Sequence, residues 1–279
     1  MRYDVALGSL PFHNPLIDLA TAAGVTPAGL PAYTGELVFS DEFTGGGVNG
    51  DRWLNGTWDP DSMAEGAPEW QAHTVNHQVG DASNNFGWEL QQYDPSAATF
   101  ADGSLQLTMR AENLVPEQSA PSFPYTSGML ITSQRFATTG GFVEVRARGS
   151  GVPGSWPAAW MIPQSFAWPP EIDIWENWGQ TPSSSTYGLY QLGGGHAGGN
   201  LVGDSRQFHT YGVRWVPGVS LTQYYDGVAQ APMTSNVPAE PMYLIINHAA
   251  DFRAGQQPAA ADMPFSAQFD YARAWALDS

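Results

Sequence analysis

From Glu36 onward the chain consists of short apolar runs broken by Gly, Pro, Asn and Asp, with no sustained helical period. This pattern predicts strands over 36–40, 74–79, 104–110, 128–136, 142–147, 158–162, 172–176 and 186–192, and further ones over 208–216, 221–225, 241–248 and 268–277. Asp226-Gly227, directly after one such run, predicts a type I′ hairpin, because Gly accepts the positive φ that the turn requires. The glycine-rich stretch from Gly193 to Gly199 reads as a loop. Residues 1–34 differ: Leu16, Ile17, Leu19 and Ala20 between Pro15 and Gly24 form a short helix-like pattern, which we read as an N-terminal extension ahead of one domain over 35–279. So many short strands imply an all-β fold of two packed antiparallel sheets, a β-sandwich or jelly roll. In such a fold a long ligand lies across one concave sheet face, in an open cleft suited to internal attack on a polymer.

Composition narrows the class. Of 279 residues, 42% are apolar and 13% aromatic, enough for a sizeable core, and only 13% are charged. There is no lysine, and the formal charge is −17, so nucleic acid and anionic membrane surfaces are poor partners. No run approaches the roughly twenty apolar residues of a membrane span. Cysteine is absent, and the first residues lack the basic start, apolar run and cleavage site of a signal peptide. Export would then rely on a removed leader or another route. The expected protein is a soluble monomer.

The chemistry concentrates in Glu171-Ile-Asp173-Ile-Trp-Glu176, three carboxylates inside an apolar segment. On a strand, Glu171 and Asp173 share one face and Ile172 and Ile174 the other, which leaves Glu176 on the wrong side. One extra residue near Ile174 or Trp175, a β-bulge, returns Glu176 to the face of the other two acids. Two carboxyls about 5–5.5 Å apart, one ionised and one protonated, are what retaining glycoside hydrolysis requires. A solvated edge strand or a calcium site would also carry acids. Against those readings, Trp156, Trp160, Trp168, Trp175 and Trp178 all lie close to the acids in sequence, and indole faces suit sugar rings. Three neighbouring acids cannot all ionise cheaply, and Glu176 beside Trp175 and Trp178 is the expected holder of a proton.

Other signals carry less. Gly193, Gly195 and Gly198 match a dinucleotide fingerprint in spacing, but no buried strand leads in and no helix follows. His73 and His77 have no third ligand at metal spacing, and no nucleophile elbow is present.

The residues resemble glycoside hydrolase family 16, the β-jelly-roll enzymes that include laminarinases, lichenases, agarases and κ-carrageenases. The hexapeptide from Glu171 to Glu176 follows the family's bulged form E-x-D-x-x-E, and matching segments run in the same order from Phe39-Ser-Asp-Glu-Phe43 through Glu89-Leu-Gln-Gln-Tyr93, Trp156-Pro-Ala-Ala-Trp160 and Tyr243-Leu-Ile-Ile-Asn247 to Asp270-Tyr271. The resemblance implies Glu171 as nucleophile, Glu176 as general acid and base, and Asp173 as the acid between them. It implies substrate contacts from Trp156, Trp160, Glu89, Tyr93, Trp175, Trp178, Tyr190 and Asn247. It places Glu42 and Asp270 where relatives often bind a structural calcium, although turn capping explains both residues too; no cofactor is expected for catalysis. Tyr190 stands at about the place where laminarinases tend to carry His, and Pro170 where the family usually has Gly. The implied activity is retaining endo-hydrolysis of a β-linked polysaccharide, with β-1,3-glucan the leading substrate, a bacterial exopolysaccharide or agar-type galactan the alternative, and a non-catalytic carbohydrate-binding protein the reading from another class. Action on such a polymer implies an extracellular or periplasmic location.

Overall fold

The computed structural model describes residues 33, 35–55, 90–114, 123–165, 167–250 and 257–278. Nearly all of the extension over 1–34, the strand expected over 74–79, His73, His77 and Glu89 lie outside the described residues. In chain order the strands are β1 (Leu37–Asp41), β2 (Leu54–Asn55), β3 (Gln91–Tyr93), β4 (Ala98–Ala101), β5 (Ser104–Leu114), β6 (Phe123–Ser127), β7 (Met129–Ile131), β8 (Gly141–Arg148) and β9 (Ser155–Pro163). There follow β10 (Glu171–Glu176), β11 (Ser184–Tyr190), β12 (His196–Val202), β13 (His209–Val216), β14 (Ser220–Tyr225), β15 (Val228–Ala229), β16 (Met242–Ala250) and β17 (Phe265–Trp275). Two single turns of 3-10 helix, Pro95–Ala97 and Ala260–Asp262, are the only helical elements among the described residues.

These strands form the two sheets of a jelly-roll sandwich. One has the order β15-β14-β13-β8-β17-β5-β6-β3, with β1 added on β17 and β4 on β5; the other runs β12-β11-β10-β9-β16-β7-β2. Pairing is antiparallel except between β3 and β6. The inner faces meet in a core that includes Phe39, Leu105, Val143, Val145, Met161, Ile172, Ile174, Tyr211, Trp215, Ile246 and Phe269. Each such side chain contributes roughly 1.5–3 kcal/mol by leaving water. Alternation along β16 explains the division of labour: Leu244, Ile246 and His248 point between the sheets, while Ile245 and Asn247 share the opposite face with Trp160, their neighbour region on β9.

His248 ties the sheets together. It is fully buried, its Nδ1–H donates to the Leu107 carbonyl at 2.8 Å, and its Nε2 accepts from the Ser155 hydroxyl at 2.8 Å. Ser155 in turn accepts from Ser150 at 2.9 Å. With both ring nitrogens so engaged the imidazole is neutral, and burial pushes its pKa down to about 4.

Asp226 and Gly227 both have positive φ, 47° and 74°, and close the hairpin from β14 to β15 as the dipeptide predicts. The stretch Gly193–Gly199 divides differently from the loop expectation. Gly193 to Gly195 turn the chain with positive φ, and His196 onward is strand β12, paired along its length with β11. The pattern is hard to read because glycine substitutes for apolar residues where backbones approach closely: a Cβ on Gly198 would lie 2.2 Å from the Tyr187 carbonyl oxygen. The strand expected over 128–136 ends at Ile131, after which Arg135 and Phe136 bond back to the Thr132 carbonyl in a turn.

Candidate active site

Strand β10 sits between β9 and β11 in the second sheet. Its register against β11 slips between Asp173 and Glu176, and against β9 between Asp173 and Trp175. This is the bulge that the spacing of the acids predicts, and it lies where predicted. Ile172, Ile174 and Trp175 all enter the core, and Glu171, Asp173 and Glu176 emerge on the other face, opposite Tyr190, Gly188 and Thr186 of β11.

Indole N–H groups hold the outer two acids. Trp168 Nε1 donates to Glu171 Oε2 at 3.0 Å, and Trp156 Nε1 donates to Glu176 Oε1 at 3.0 Å. Thr186 Oγ1 lies 3.4 Å from Glu176 Oε2. Burial, reinforced by the charge of Glu176, pushes the Glu171 carboxyl above the ordinary range, and hydrogen bonds from Trp168 and Asp173 oppose the rise. Asp173, 4% exposed, is pushed well above its ordinary value by burial and by the charges of Glu171 and Glu176. Burial and the two neighbouring charges thus favour the protonated form of Asp173, alongside the expectation that a proton sits on Glu176.

The tryptophans divide by face. Trp156 and Trp178 are half-buried and stack with ring centroids 4.8 Å apart and planes at 14°. Trp160 is half-buried on the same face, opposite Asp173. Trp175 corrects the expectation of a substrate contact: the bulge that returns Glu176 to the cleft turns the indole inward, where it is fully buried, stacks on Tyr211 at 5.0 Å and donates to Ser185 Oγ at 3.0 Å. Tyr93 and Asn247 also differ. Both are buried, at 2% and 4% exposure; Asn247 Nδ2 donates to the Tyr93 hydroxyl at 2.8 Å and Asn247 Oδ1 accepts from Trp160 Nε1 at 2.9 Å. They fix the Trp160 ring from beneath. Tyr190 is 37% exposed at the Glu171 end of the strand, with its ring 5.8 Å from that of Trp168.

Two roles escape the sequence reading. Trp168, 47% exposed, belongs to the tryptophan cluster that the sequence shows, but its bond to Glu171 three positions on is not assigned there. His196 comes from the strand that the glycines disguise, and no local signal ties it to the acids.

Glu42 directly follows β1, and Asp270 lies on β17 of the first sheet. Both oxygens of Glu42 are taken by Arg273, at 2.9 and 2.6 Å, and Asp270 is paired with Arg146 at 2.5 Å. Guanidinium groups occupy the positions from which these carboxylates would hold a cation, so the two side chains do not fit a calcium site. Among the described residues no group of three His, Cys, Asp or Glu side chains could hold a metal. Nor, among them, is any helix long and apolar enough to cross a membrane.

A sandwich whose one sheet presents two carboxyls flanking a third, each outer acid held by an indole, has the make-up of a glycosidase. The model of the glycosyl hydrolases family 16 matches residues 83–272, and the chain belongs to that family. It is 30% identical over 236 residues to the endo-1,3-1,4-beta-glycanase EglC of Rhizobium meliloti (strain 1021), covering 81% of this chain and 49% of the relative. It is 28% identical over 285 residues to the glucan endo-1,3-beta-glucosidase A1 of Niallia circulans, covering 88% and 38%. Among solved structures, the endo-beta-1,3-glucanase of Pyrococcus furiosus superposes with a TM-score of 0.70 at 25% identity, over 88% of this chain and 96% of that one. The chain thus spans between 38% and 60% of the length of the curated relatives it matches.

Proposed function

We propose that this domain is a retaining endo-glycosidase acting on a β-glucan that contains β-1,3 linkages. The observation that carries the reading is the bulged strand, which sets Glu171 and Glu176 on one face with Asp173 between them. In the first step the Glu171 carboxylate attacks the anomeric carbon, the C1–O bond to the leaving sugar breaks, and Glu176 gives its proton to the departing oxygen. Asp173 donates its hydrogen bond to Glu171 and steadies the carboxylate until the ester forms. In the second step Glu176, now ionised, takes a proton from water, whose oxygen attacks C1 and displaces Glu171. Two inversions retain the configuration.

Support for a β-1,3-containing glucan comes from the two relatives described above, which are named for β-1,3 or mixed β-1,3-1,4 activity. The stacked Trp156 and Trp178 at one end of the strand and Trp168 with Tyr190 at the other supply flat faces for successive sugar rings. A polymer of this kind lies outside the cytoplasm, so extracellular or periplasmic action belongs to the same reading. The test is product analysis of the purified protein on laminarin, mixed-linkage glucan, agarose and bacterial exopolysaccharides, with Glu171→Gln as the blank. Oligosaccharides of retained configuration from laminarin or mixed-linkage glucan, absent with the variant, are expected. Products from agarose alone, or turnover by Glu171→Gln near the wild-type rate, would overturn it.

A further inference from the structure

Gly188 lies opposite Asp173 in the β10–β11 ladder, so a side chain at position 188 would stand beside the Asp173 carboxyl on the cleft face. That volume is not empty. A Cβ built on Gly188 would lie 2.4 Å from His196 Nε2 and 3.2 Å from Asp173 Oδ2. The imidazole of His196, from β12, thus reaches across the notch left by glycine and brings a ring nitrogen to the space in which Asp173 Oδ2 ends. Tyr190, paired with His196 across the ladder, packs against the ring at 4.6 Å between centroids. Asp173 Oδ2 itself is buried and has no hydrogen-bond donor. A buried acceptor left without a donor is destabilising by about 1–3 kcal/mol, and the His196 nitrogen is a polar side-chain atom that reaches the same notch.

We propose that His196 is a positioning residue for the triad: from the neighbouring strand, through the gap at Gly188, it supplies the Nε2–H donor for Asp173 Oδ2, directly or through one water, and thereby fixes the carboxyl that bonds Glu171. The glycine at 188 is required because any side chain there would expel the ring. The other groups around Asp173 leave this role open. Glu171 and Glu176 on its own strand are acids, Trp160 opposite it on β9 gives its indole N–H to Asn247, and Gly188 on β11 has no side chain.

The inference rests on the glycosidase reading of the site, and two measurements keep the failures separate. On laminarin, His196→Ala should lower kcat about tenfold while KM changes less than twofold, and His196→Gln, which keeps a donor, should recover most of the loss. Gly188→Ala should reproduce the loss, and the double variant should be no worse than either single one, since both remove one contact. The second measurement needs no turnover. Trp168 and Trp156 bond to Glu171 and Glu176, so their fluorescence follows ionisation of the acids, and its midpoint in His196→Ala should move to higher pH by at least about half a unit, because a donor favours the carboxylate. An unmoved midpoint, a His196→Ala effect on KM alone, or full additivity with Gly188→Ala would overturn the proposal. An inactive wild type with a shifted midpoint would sink the substrate reading and leave the assignment of His196 standing.

Discussion

The neutral, buried His248 makes the fold sensitive to acid over a defined range. In the unfolded chain the imidazole titrates at its ordinary value of 6.5, and in the native protein burial pushes it down to about 4. Between those values the unfolded state binds a proton that the native state does not, so stability falls as pH falls through 6.5 and continues to fall until about 4, below which this group contributes no further change. At about 1.36 kcal/mol per unit, the full effect is about 3 kcal/mol, and the part lost by pH 5 is about 2 kcal/mol. The perturbation is His248→Gln, which stays neutral and keeps one donor and one acceptor for Leu107 and Ser155. It should weaken the protein at pH 8 by about 1–3 kcal/mol through poorer hydrogen bonds, yet lose about 2 kcal/mol less than the wild type between pH 8 and pH 5. Urea denaturation followed by tryptophan fluorescence at the two pH values measures both. Parallel losses in the two proteins would refute the assignment of a neutral His248, whatever their absolute stabilities.

Other expectations concern the cleft. Trp168→Phe removes the indole donor that holds the Glu171 carboxyl down, so the acidic limb of the kcat/KM profile should shift to higher pH; an unshifted limb would separate Trp168 from the nucleophile. Glu176→Ala should be rescued by azide on an activated aryl glycoside, since the azide nitrogen can attack C1 and release Glu171 without a base, and mass spectrometry should find the β-glycosyl azide. Trp175→Phe should lower stability by about 1–3 kcal/mol through the lost Ser185 bond and packing, and leave KM on laminarin unchanged; a raised KM would return Trp175 to the cleft.

Most strands were legible because both signals that define them are local: apolar runs of strand length and turn residues between them. The bulge was legible for a less common reason. Three acids in six positions fit a plain strand only if one faces the core, and burying an unpaired carboxylate there is too unfavourable. The features that escaped depend on neighbouring strands. Nothing in the sequence of β12 distinguishes a glycine that turns the chain, such as Gly194, from one that allows two backbones to approach, such as Gly198. With β12 hidden, His196 could not be brought to Asp173. Sequence proximity to Glu176 points Trp175 to the cleft, whereas the same bulge that rescues the acid sends the adjacent indole into the core. Asn247 and Tyr93 lie beneath the cleft face and not in it, since alternation gives the face and not the depth.

The site and the core pull the stability curve in opposite directions. Glu171 and Asp173 are pushed up by burial, so the native state binds their protons more tightly than the unfolded chain, and their contribution favours folding at acid pH and is lost as pH rises through their native values. His248 acts in the reverse sense, and across the range from 6.5 down to about 4 the two effects offset each other. Glu171→Gln removes one side of this balance: the variant should gain stability over the wild type above neutral pH, where the native wild type must carry a desolvated carboxylate, and gain little at pH 5. A buried nucleophile thus weakens the fold most under the conditions in which it is ionised and able to attack, and a histidine held neutral on the inner face of β16, two strands away in the same sheet, keeps acid from returning that stability in full.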